Sequence, residues 1–145
     1  GERGYERLRE AAGRVGNLSF LERVGFRQID EYFRRAKVLV NTSAAEGFPN
    51  TFIQACKWAT PILSLRVNPD GFLDSYGCGL CAEGNWERFV EMLGRLLEPA
   101  AARQYGARGR RYAEEHHDIT KIVERYKVIF RDLVNEQARR GRTGR

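Results

Sequence analysis

The sequence predicts an α/β fold, an open parallel β-sheet with helices on both faces, and three observations lead there. Apolar residues switch between a helical period of about 3.6 and short continuous runs. Two of those runs, "KVLVNTS" and "PILSL", are rich in β-favouring residues, and the first ends in polar ones, as a buried parallel strand does at its exit loop. Helical segments of about ten to fifteen residues separate the runs, which is the pattern of βαβ units.

Each element has its own signal. Tyr5, Leu8, Ala11, Ala12 and Val15 recur at helical spacing, and Gly16-Asn17 stops that helix. "LSFLERV" reads as a short strand. Ile29, Tyr32, Phe33 and Ala36 mark a second helix that runs into "KVLVNTS". A third helix begins near Pro49, carries Phe52, Ile53, Cys56 and Ala59 inward, and stops before Pro61, where "PILSL" begins. "RVNPDG" is a turn, and "GLCAE" a weaker fourth strand. Trp86, Phe89, Val90, Leu93, Leu96 and Leu97 form an inward face on the next helix, and another spans about Ala100 to Glu115. The last carries Ile119, Ile122, Val123, Tyr126, Ile129, Phe130 and Leu133, with Asp118 as its N-cap.

Doubly wound sheets usually hold about five or six strands, and this chain opens directly in a helix. The expected organisation is one incomplete domain over residues 1–138, lacking a first βα or βαβ segment, with a basic disordered tail over 139–145.

Bulk properties exclude several classes. With 145 residues, 42% of them hydrophobic, the chain can bury one core and is not a disordered tract. No apolar run approaches the length of a membrane span and the polar, basic start is unlike a signal peptide, so a cytoplasmic protein is expected. A net charge of +6 favours anionic partners. Much of that excess sits in the terminal "ARRGRTGR" and the rest is scattered along helices, without the aromatic platform of single-strand binders. Nucleic acid is therefore not expected as a partner. Cys56, Cys78 and Cys81 suit a reducing compartment better than a disulfide framework. "CGLC" supplies too few ligands for zinc and does not open a helix, so the thiols read as core packing.

The chemistry is expected where "NTSAAEGFPNTFIQA" joins a buried strand to a helix, since open α/β sheets bind ligands beyond the carboxyl ends of their strands. Gly47 lets the backbone approach a ligand closely. Pro49 suits the first helical position, which leaves the N–H groups of Asn50, Thr51 and Phe52 pointing out of the helix start. Glu46 stands just before. It is either a charge that complements the helix dipole or an acceptor for ligand hydroxyls.

"S-x-x-E-G-F-P-N-T-F-I-Q-A", followed by "A-T-P-I", resembles the signature of glycosyltransferase family 4, retaining enzymes of the GT-B fold. "NLSFLERV", "IDEYFRRAKVLVNTS" and "YGCGLCAEGNWERFVEMLGRLLEP" are similar to further segments of that family's C-terminal domain, and residues 5–134 can be laid on it. The resemblance implies a Rossmann-like sheet in an N-terminally truncated donor-binding domain. It also implies transfer of a hexose from a nucleotide diphosphate sugar to a glycan or lipid acceptor, without a metal cofactor. The whole enzyme would be cytoplasmic or peripheral at the cytoplasmic membrane face, with the acceptor held by a missing N-terminal domain.

Carried over by position, the resemblance makes Glu46 the catalytic-site carboxylate that binds the donor sugar's hydroxyls. Gly47, Phe48, Pro49, Asn50 and Thr51 line the sugar and diphosphate. Gln54 stands where the family has a second glutamate, two helical turns on, that accepts from the ribose. Glutamine keeps one carbonyl acceptor but loses the charge. Glu22 and Ala59 stand where the family carries glycines that allow close backbone approach. These departures, and the absence of the segment bearing the family's diphosphate-binding Arg and Lys, keep open a non-catalytic nucleotide-sugar-binding or scaffold module. They also imply that the fragment alone is inactive. His116 and His117 lie between the last two helices and replace none of the missing groups.

Overall fold

The computed structural model describes residues 2–21 and 23–142. Glu22, and residues 143–145 of the basic tail, lie outside them. Two compact units result, Gly1–Glu31 and Tyr32–Arg145.

In the first unit, α1 spans Glu2–Gly13. It closes through Arg14 and Val15 N–H bonds to the Ala11 and Ala12 carbonyls, and so ends at Gly13, three residues before the expected Gly16-Asn17 stop. The Tyr5 ring meets Phe20 edge-on at 5.3 Å. The described residues of "LSFLERV" form no strand, contrary to the sequence expectation. Leu18, Phe20 and Leu21 are exposed, and an extended segment without a ladder partner has nothing to hold it as a strand. Helix α2, Phe26–Arg35, leads from this unit into the next.

The second unit holds a three-stranded parallel sheet in the order β1-β2-β3: Leu39–Asn41, Ile62–Ser64 and Gly79–Cys81. The weakest strand of the sequence reading is thus a real one. Asn41, Ser64 and Cys81 share a register row and form the carboxyl edge. Central β2 is buried throughout, as expected of a strand covered on both faces. Leu63 packs with Ala82, Phe89, Leu96 and Tyr105 into a core cluster.

Helix α3, Asn50–Lys57, crosses from β1 to β2 and buries Phe52, Ala55 and Cys56. A 3-10 turn at Pro69–Gly71 and the short α4, Phe72–Tyr76, connect β2 to β3. Helix α5, Trp86–Leu97, is capped by the Asn85 side chain, which accepts from Arg88 N–H. Only Phe89 and Leu96 of its apolar face are buried, while Trp86, Val90 and Leu97 are exposed. A narrow sheet covers one strip of a helix, and that strip is the one two turns apart.

Helix α6, Pro99–His116, packs on α3 with Gly106 and Gly109 turned inward, Gly109 lying over Cys56 and Cys78. All three cysteines are free and buried, in line with core packing. A hydrogen bond with Cys78, and then burial, push the Cys56 thiol far above its ordinary range, which makes it inert. Helix α7, Ile119–Arg142, begins under Asp118, whose Oδ1 accepts from Thr120 N–H at 2.8 Å. Its helical backbone continues through residues 139–142 of the basic tail.

Ala59 is not turned inward. It is exposed with φ at 55°, and Thr60 N–H bonds to the Ala55 carbonyl at 2.9 Å while Ala59 N–H bonds to Cys56 at 3.1 Å. This is a Schellman stop, in which the left-handed residue is usually glycine. The alanine therefore strains a helix end, which is a different matter from ligand approach. Ala59→Gly is expected to stabilise the protein by about 0.5–1 kcal/mol, read as a shift in the urea midpoint at unchanged m-value.

Candidate functional site

The carboxyl edge of β1 delivers the chain into the loop 42–49 and then into α3. Asn41, the last residue of β1, turns its side chain to this loop. Its Nδ2 donates to Glu46 Oε1 at 2.8 Å, and its Oδ1 accepts from Ser43 N–H at 3.0 Å. One amide thus fixes both the start of the loop and the carboxylate at its far side. Hydrogen bonding from the Ser43 side chain, and then from Asn41, holds the Glu46 carboxyl below the usual carboxylate range. Glu46 lies at the surface, so this ordering serves geometry more than stability.

Pro49 occupies the N-cap of α3, with φ −66° and ψ 120°, one residue earlier than expected. Its carbonyl accepts from Phe52 N–H at 3.0 Å. Of the three amides expected to point outward, Phe52 is therefore satisfied within the fold. Asn50 and Thr51 have no acceptor among the described residues. Pro49 is buried and sets the angle at which these two N–H groups leave the helix, beside the positive end of its dipole.

Phe48 is half exposed, and its ring stands edge-on to Phe72 at 5.0 Å and to Phe52 at 6.4 Å. Phe72 in turn meets Tyr112 at 4.9 Å. The loop is thereby anchored on α4 and α6 through an aromatic chain, in arrangements that favour aromatic pairs. Gln54 is half-buried on α3 and lies on the same helix face as Asn50, four residues earlier. Because α3 begins only at Asn50, one helical turn plus a stretch of loop separates Glu46 from Gln54, not two turns.

A methyl group placed on Gly47 would meet no protein atom within 4 Å. The fold itself makes no demand for glycine there. Gly47→Ala is expected to leave the melting temperature unchanged or slightly raised, by no more than about 1 kcal/mol in stability. If the open space beside Gly47 is where a ligand lies, the same variant weakens ligand binding, and a thermal-shift titration separates the two effects.

Glu46, Gly47, Phe48, Asn50 and Thr51 are all exposed where the loop turns into α3, with Pro49 buried among them and Gln54 one turn further along the helix. Sequence reasoning missed Asn41, Ser43 and Phe72 as parts of the site. An asparagine at the exit of a predicted strand, with S-x-x-E two residues on, was the signal for the first two. Phe72 carried none, since its role depends on where α4 packs. His116 and His117 stand at the end of α6, where His117 Nε2 lies 3.1 Å from the Tyr112 hydroxyl. Among the described residues no three His, Cys, Asp or Glu side chains converge.

The site can hold a ligand with two kinds of polar group. The fixed carboxylate only accepts, and so selects hydroxyls. The two free amides at the helix start only donate, and so favour an anion. The sequence profile of the family described as glycosyl transferases group 1 matches residues 1–99, which include the whole site. No curated protein and no solved structure matches the chain.

Proposed function

Starting from a chain that belongs to the group 1 glycosyl transferases, we propose that it binds the donor, a nucleotide diphosphate sugar, at the β1–α3 loop. The observation that carries this reading is the Glu46 carboxylate, fixed by Asn41 and Ser43 just before the free amides of Asn50 and Thr51. Glu46 accepts hydrogen bonds from the sugar's hydroxyls. The Asn50 and Thr51 amides face the diphosphate and offset the negative charge that grows on it as the glycosidic bond breaks. Gly47, Phe48 and Pro49 shape the sugar pocket, and the Gln54 carbonyl accepts from the ribose.

In this reading the intact protein is a family 4 enzyme. It moves a hexose onto a glycan or lipid acceptor with retention at the anomeric carbon, in the cytoplasm, without a metal. Helix-start dipoles and basic side chains carry the electrostatic work, and a further domain holds the acceptor.

Gln54 favours a second reading, a binding module without turnover. One neutral acceptor replaces the two oxygens of a carboxylate there, which weakens a ribose contact by about 1–2 kcal/mol. Ligand-observed NMR on this chain with UDP-, GDP- and ADP-sugars tests the donor reading. Saturation transfer to at least one of them supports it and names the base. Transfer to none, with the chain folded by circular dichroism, rejects it for this chain. Sugar-nucleotide binding without any nucleotide release over many hours, once an acceptor-bearing domain is supplied, supports the second reading.

A further inference from the structure

We propose that the cleft between α4 and α6 binds a phosphate monoester of a small polyhydroxy compound. Ser75 and Tyr76, at the end of α4, line a cavity of about 350 Å³ together with Arg108, Arg111, Tyr112 and Glu115 of α6. The four α6 residues are spaced i, i+3, i+4 and i+7, which puts them on one helix face. The volume is that of a small-molecule site. Helix α4 is capped by Gly77 with φ 57°, and a Cβ there would stand 3.0 Å from Arg108 Nη1 and 3.1 Å from its Cδ. The glycine that turns the chain also leaves room for the Arg108 side chain against the end of α4.

The charges in this cleft are unspent. Elsewhere on α6, Arg110 and Glu114 pair at 2.6 Å. Arg111 and Glu115 have the same spacing and do not pair. With Arg108, they have no hydrogen-bond or ion-pair partner among the described residues. Two guanidinium forks only donate, and their geometry matches a phosphate dianion. The Ser75 and Tyr76 hydroxyls add further donors beside them. Glu115 only accepts. It repels a bare anion, and a hydroxyl carried on the same ligand satisfies it. The Tyr76 and Tyr112 rings, with centroids 4.2 Å apart, supply an apolar wall for the ligand's carbon skeleton. The Tyr112 hydroxyl is engaged with His117 Nε2 at 3.1 Å, so its ring is what the cleft uses. The site shares no residue with the donor loop and does not depend on the donor reading.

A ¹⁵N–¹H correlation titration of the whole chain with glucose 6-phosphate, inorganic phosphate and glucose, at constant ionic strength, tests it. Glucose 6-phosphate should give saturable shifts at the Tyr76, Gly77, Arg108, Arg111 and Tyr112 amides. Inorganic phosphate should bind there at least about tenfold more weakly, and glucose should leave these amides unmoved. Arg108→Gln and Arg111→Gln should each weaken binding of the sugar phosphate by about tenfold or more, as hydrogen bonds to a charged group imply. Arg103→Gln removes the same charge from α6 outside the cleft and should change nothing. Glu115→Ala should abolish the preference over inorganic phosphate. All four residues are exposed, so far-UV circular dichroism should be unaltered. Absence of saturable shifts, equal affinity for inorganic phosphate, or an equal loss in Arg103→Gln would overturn the proposal. Shifts confined to Asn50 and Thr51 would also overturn it, by placing the phosphate in the donor loop. Tighter binding of a phosphoserine peptide than of the sugar phosphate would assign the cleft to a phosphoprotein instead.

Discussion

Gly106→Ala is expected to destabilise the protein by about 2–3 kcal/mol, although alanine is the better helix former by about 1 kcal/mol. The reason is geometric. A Cβ on Gly106 would stand 2.0 Å from the Ala59 carbonyl oxygen and 2.9 Å from its carbon. Those atoms belong to the Schellman stop of α3, where two hydrogen bonds fix the backbone, so no flexible side chain can swing away. Relief requires α6 to move off α3, which opens the layer containing Phe52, Cys56 and Gly109. Gly94 of α5 is the control, because an added methyl there meets nothing within 4 Å. Gly94→Ala should stabilise by up to about 1 kcal/mol. Urea unfolding of the two variants side by side should give shifts of opposite sign. Since α3 carries the site at its other end, Gly106→Ala should also weaken whatever binds at Asn50 and Thr51.

Glu46→Ala is expected to lower affinity for a sugar nucleotide about 10- to 100-fold, the equivalent of losing hydrogen bonds to a charged group. Affinity for the matching nucleoside diphosphate, which has no sugar, should not change. Isothermal titration with both ligands measures the contrast. An equal loss for both would place Glu46 at the phosphates and contradict its role as a hydroxyl acceptor. The pH profile follows from the same contacts. Glu46's carboxyl is held below its usual range by Ser43 and Asn41, so the ionised, accepting form persists on the acid side of about pH 4.3. Binding should be fully present above that value and fall only as pH drops through the lowered pKa. In Asn41→Ala one of the two restraining bonds is gone, and the fall should begin at higher pH.

The alternation of periods was legible wherever a segment ended up buried on a face of its own. "PILSL" and the α3 pattern sit where their sequence places them, and Asp118 caps the last helix as its spacing suggests; "KVLVNTS" forms β1 as expected, but at the edge of the described sheet with its residues half-buried or exposed rather than buried. "LSFLERV" misled because its apolar residues have no sheet to join, a tertiary fact that no window of sequence contains. Helices α5 and α7 show the same limit from the other side. An apolar periodicity says that a face can be buried, and Trp86 and Phe130 show that it need not be.

In the site, the strand-to-helix position of Glu46 could be read directly, and so could two of the three expected amides, the third being that of Phe52, which bonds to the Pro49 carbonyl. The Asn41 bracket left a signal in the order Asn41, Ser43, Glu46, but its contacts depend on a loop geometry that returns Glu46 to Asn41 at the end of β1. Ala59 is the instructive case. Its departure from glycine looked like damage to a ligand contact, and its left-handed φ shows that the position serves the helix stop.

The most direct measurement is a ¹⁵N–¹H correlation titration of the chain with the best sugar nucleotide of the panel. The donor reading predicts the largest shifts at the backbone amides of Gly47, Phe48, Asn50 and Thr51 and at the Asn41 and Gln54 side-chain amides, with α7 unmoved. Saturable shifts concentrated anywhere else, or none at the α3 start while binding is seen by another method, would contradict it.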